Sequence, residues 1–143
     1  MFEEIGKMED YQNRMDSLSK VFLVLATPKL TDMRLIPNIY HWFCESKKIH
    51  KEELSVMLRD QFLFIVLYLY SPEKLTNKNR KMKKNLRVIM NKTLELTAKS
   101  LLSNQCDKLY ANYKTYKSFR EDINDSYLYI KEKLESSGLA SGL

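Results

Sequence analysis

Between Gly6 and Gly138 the chain has no glycine, so almost its whole length lacks the residue that takes positive φ without steric cost. That excludes a Gly-rich loop whose backbone N–H groups cradle a phosphate, and it excludes glycine-dependent tight hairpins. Proline occurs only at 28, 37 and 72. The expected product is an all-α fold, a compact bundle of about six helices joined by short polar loops, with no residue in the body that readily takes positive φ. Apolar residues make up 44% of the 143, too many for wholesale disorder and enough for one buried core. Residues 1–135 read as a single domain, and the Ser-, Gly- and Ala-rich stretch 136–143 as a flexible tail.

Apolar periodicity places the elements. Residues 11, 15, 18, 22 and 25 step by three and four along an amphipathic helix from Met8 to Leu25, which Pro28 ends. Thr31 and Asp32 start a short segment, and Pro37 suits the first turn of a helix carrying Ile39, Tyr40, Trp42 and Phe43. A third helix runs from about Lys51 to Tyr70. Its second half, Phe62 to Tyr70, is apolar on nearly every side, which marks it as central. That nine-residue run is far short of the roughly 20 a bilayer span requires. After a polar loop over 72–80, helix resumes from about Met82 to Leu94, again from Ala98 to Ser118, and finally from Glu121 to Leu134.

Charge is distributed unevenly along these elements. From Glu73 to Arg120 there are thirteen Lys and Arg against Glu73, Glu95 and Asp107, a balance of +10 in a chain whose total is +6. Residues 1–72 and 121–143 are therefore net acidic. So concentrated a positive segment repels itself and attracts polyanions.

Within it, Leu86 to Asn104 reads as two helical runs split by a short turn, the second opening at Thr97, a good N-cap. Met90, Leu94, Leu96 and Leu101 supply the apolar contacts between the runs, with Ser100 as a small polar residue beside them. This pattern resembles the helix-turn-helix, whose second helix presents its N-terminal residues to base edges in the major groove. It departs at Asn91, where that family has Ala, and at Glu95, where it has Gly in the turn. An apolar helix followed by a basic linker is similar to the C-terminal DNA-binding domain of the bacterial replication initiator DnaA. The Lys-, Asn- and Tyr-rich composition is similar to small helix-turn-helix proteins of gut Bacteroidales and their phages.

The resemblance implies a sequence-specific partner of double-stranded DNA, a transcriptional regulator or replication accessory factor, in the cytoplasm of a bacterium and phage-encoded in some lineages. Under it Arg80, Lys81, Lys83, Lys84, Arg87 and Lys92 contact the DNA backbone, while Lys99, Ser100, Ser103, Asn104 and Lys108 approach the bases. The acidic flanks suit a protein partner, and a homodimer is compatible with the motif. The alternative is a non-enzymatic interaction or virion component whose basic face binds an acidic partner or packaged nucleic acid without sequence preference.

Other chemistry finds little footing. His41-x-x-Cys44 brings two ligand types together on one helix, but a zinc site needs three or four, so both read as packing residues. Cys44 and Cys106 are far apart and read as reduced thiols in a cell interior, with no leader segment preceding them. Neither Ser17 nor Ser19 has a plausible base, and no paired carboxylates appear. The expectation is no enzyme activity, no cofactor, no metal and no membrane partner.

Overall fold

The computed structural model describes residues 1–77, 79–96 and 105–143. Among them are six α-helices and no strand: α1 (Glu3–Ala26), α2 (Ile36–Lys47), α3 (Val56–Tyr70), α4 (Lys84–Thr93), α5 (Leu109–Thr115) and α6 (Lys117–Ser136). Three short 3-10 turns, Met33–Leu35, Lys51–Glu53 and Pro72–Leu75, connect them. The all-α expectation holds. No helix among the described residues is long and apolar enough to cross a membrane.

The centre is α3. Gln61 to Leu67, Leu69 and Tyr70 are all buried, as its apolar circumference requires. α2 and α6 form the most extensive helix pair and close over α3 with Ile39, Phe43, Ile123 and Ile130. The rings of Tyr40 and Phe43 lie 5.0 and 5.5 Å from that of Phe62, tilted as aromatic quadrupoles prefer. Polar ties fix the layers: Ser46 Oγ and Ser126 Oγ are 3.0 Å apart, and the Tyr129 hydroxyl donates to Glu45 at 2.9 Å. The linker after α1 is pinned to α3, because the amides of Lys29 and Leu30 both donate to the carbonyl of Leu69.

Four expectations need correction. The helix expected from Lys51 begins at Val56, because the Ser55 hydroxyl accepts from the amide of Leu58 and starts a fresh helix there. The helix expected over 98–118 does not run through: Asp107 and Lys108 form a turn, α5 follows, and an extended Tyr116 separates α5 from α6. α6 thus starts at Lys117 and also buries Phe119.

Third, the stripe of α1 meets no core. The helix is longer than expected, yet none of its 24 residues is buried. Fourth, left-handed backbone occurs without glycine. Lys48 and Glu95 both have φ of 56°, a conformation that costs an ordinary residue about 1–2 kcal/mol. Each follows a helix end closed in the same way. The amide of Ile49 reaches the carbonyl of Cys44, and that of Leu96 the carbonyl of Asn91, while Lys48 and Glu95 donate to Glu45 and Lys92. These paired bonds satisfy orphan carbonyls, and Ile49 and Leu96 then tuck their apolar side chains against the core. The same closure recurs at Gly138, with Leu139 donating to Leu134, so the stretch 136–143 begins as an ordered helix cap. Ala140 and Leu143 also rest against the core.

Candidate nucleic-acid interface

Helix α4 exists because Leu86, Met90 and Leu94 recur on one face, and all three are buried. The other faces carry Lys84, Arg87, Val88 and Lys92. Its N-terminus has no side-chain cap and no acidic residue in the first turn; the preceding residue is Lys83. The first-turn amides of a helix make its N-terminus the positive end of the dipole, where a carboxylate is favoured and a lysine is not. Here Lys81, Lys83, Lys84 and Arg87 all lie within three residues of that end. The three lysines are exposed and Arg87 is half-buried. None of the four makes an ion pair with a described residue. Lys92, exposed in the last turn, is likewise outside any such pair and sits at the favourable pole.

The remaining basic side chains of the segment are partly spent on the fold. Arg80 lies 3.4 Å from Glu73, so its charge is shared with a carboxylate. Lys74 is buried and stands 3.8 Å from Asp107. The Arg120 guanidinium donates to the carbonyls of Tyr113 and Lys114, closing the end of α5. Lys114 lies 4.8 Å from the centre of the Tyr110 ring, and Lys117 pairs with Glu121 at 3.7 Å. Among the described residues, the basic side chains of this segment therefore resolve into a free cationic cluster at the start of α4 and several cations engaged within the fold.

The turn after α4 has left-handed backbone at Glu95. Glu95 is exposed and Leu96 is packed inward. Lys99, Ser100, Ser103 and Asn104, the expected base-contacting residues, lie outside the described residues, as does Thr97. Lys108 is exposed in the 107–108 turn, not on a helix continuous from Thr97. Its charge faces Asp60, whose carboxyl is raised by burial and partly restored by Arg59 and Lys108. That placement differs from the one the spacing implied.

The other expected constellation separates in space. Cys44 is buried and His41 is exposed, 3.0 Å from Glu45, so His41 is a surface residue and only Cys44 packs in the core. Among the described residues no three His, Cys, Asp or Glu side chains are grouped to hold a metal. Both thiols are free; burial raises that of Cys44 and pushes that of Cys106 up to about 11, leaving poor nucleophiles. Sequence reasoning missed the polar run inside α3. Arg59 Nε, Asp60 Oδ1 and both amide atoms of Gln61 are buried without a hydrogen bond. The only legible signal was three consecutive polar residues on a helix otherwise reserved for the core.

Comparison with family models, with curated proteins and with solved structures finds no match.

Proposed function

We propose that the protein binds double-stranded DNA without catalysing a reaction, as a transcriptional regulator or replication accessory factor. One observation carries the reading. Four basic side chains surround the uncapped N-terminus of α4, an arrangement that costs the folded protein self-repulsion and that a phosphate would relieve. Lys81, Lys83, Lys84 and Arg87 would neutralise phosphates and fix the register on the duplex, with Lys92 and Arg80 at the margin. The polar residues Lys99, Ser100, Ser103 and Asn104 follow the left-handed turn in sequence and are the proposed readers of base edges, with Lys108 contributing charge beyond them. The acidic stretches 1–72 and 121–143 limit adhesion to arbitrary nucleic acid.

A second reading has its own support in the uncovered apolar face of α1. A protein that assembles through that helix and holds nucleic acid by charge alone would be an interaction or virion component without sequence preference. An electrophoretic shift series decides between them, with random duplex against genomic fragments at two salt concentrations. The regulator retains a preferred fragment at the higher salt. The assembly component binds all duplexes alike and releases them together. No shift at either concentration rejects both.

A further inference from the structure

Helix α1 carries Met8, Tyr11, Met15, Leu18, Phe22 and Leu25 at alternating steps of three and four, which places them along one seam of the helix. The seam is bare: Met15 is 65% exposed and Leu18 69%. A helix gains most of its stability from a packed face, and none of α1 is buried against the described residues. The six seam residues are each between 49% and 69% exposed, so the seam offers a continuous apolar strip to a partner.

We propose that α1 pairs antiparallel with α1 of a second copy of this chain. Met8 then faces Leu25, Tyr11 faces Phe22 and Met15 faces Leu18, and the two-fold axis repeats each contact. Every seam residue thereby meets an apolar one in a single closed, self-complementary interface. Charge selects the direction. The stated register puts the two-fold axis between Asp16 and Ser17; before it α1 holds Glu3, Glu4, Glu9, Asp10 and Asp16 against Lys7 and Arg14, and after it only Lys20. Parallel pairing sets the acidic parts on each other; antiparallel pairing sets each against the part that carries no acid.

The root of α1 fits the same arrangement. Leu25 borders an apolar groove of about 510 Å³ that Phe64, Tyr68, Leu75, Tyr110 and Tyr113 also line. The seam thus ends beside an apolar surface of the body.

Light scattering on the full chain at tens of micromolar should return twice the 17.0 kDa chain mass. Leu18→Glu, which puts a carboxylate at the middle of the seam, should return the single mass with the near-ultraviolet signal of the body intact. Asn13→Glu on the opposite face should remain dimeric. A spin label at Glu3→Cys, with the buried Cys44 and Cys106 left unreacted, should report about 40 Å between labels in the antiparallel pair, against less than about 20 Å in a parallel one. A wild-type monomer, a Leu18→Glu dimer or a short label distance would each overturn the proposal.

Discussion

Helices α1 and α3 are both rich in apolar residues, and the fold treats them oppositely. Nine of the fifteen residues of α3 are buried; none of the 24 of α1 is. The difference lies in what surrounds each helix. α2 and α6 close over α3, whose side chains from Phe62 onward are apolar in every direction. In α1 a narrow seam up to Leu18 gives way to apolar residues on every face from Val21 to Ala26, yet none of them is buried against the described residues. An apolar face requires a cover but does not say which molecule supplies it. The lesson is that periodicity predicts a helix and a contact face, whereas burial within the same chain depends on the elements that fold against it.

The contrast is sharpest in mutation. Leu67, wholly buried at the centre of α3, should lose about 2–5 kcal/mol on replacement by Ala, the transfer term plus a residual cavity. Chemical denaturation followed by far-ultraviolet circular dichroism measures it, and an unchanged midpoint would dissolve the distinction between the two helices. A smaller effect of opposite sign is expected at Gln61. Its amide is fully buried and neither amide atom has a hydrogen bond, an arrangement that costs about 1–3 kcal/mol. Gln61→Leu completes the apolar arc of α3 and should stabilise the protein by an amount of that order. Destabilisation would mean that the amide has work to do in the core. The smallest effect belongs to the face of α1 opposite the seam: Asn13→Ala should leave the unfolding midpoint within about 0.5 kcal/mol, as for a surface change.

How far the sequence could be read follows the same division. The α3 core and the inward face of α4 were legible because their apolar spacing admits one solution. Helix ends were less so. The Ser55 cap splits the 51–70 segment by a single hydrogen bond, and Tyr116 separates α5 from α6 by one extended residue. Glycine scarcity misled about left-handed turns, since Lys48 and Glu95 take that conformation when two closing hydrogen bonds and an apolar residue after them offset the strain. At the candidate site, the cationic start of α4 was visible as a charge run. Which of its members are free was not, because the partners of Lys74 and Arg80 come from Asp107 and Glu73 by folding.

The central claim is that the free cations at the start of α4 meet DNA phosphates. Fluorescence anisotropy of a labelled duplex, titrated over a range of salt concentrations, tests it most directly. Wild-type protein should show affinity falling with a log–log slope of about −4 to −5, corresponding to roughly four to six phosphates per protomer. Replacing Lys83, Lys84 and Arg87 by Ala removes three of those contacts and should flatten the slope by about 2 to 3. The fold should be unharmed or slightly firmer, because like charges leave the positive pole of the helix. A wild-type slope near zero, or a triple variant with the wild-type slope, would contradict the account.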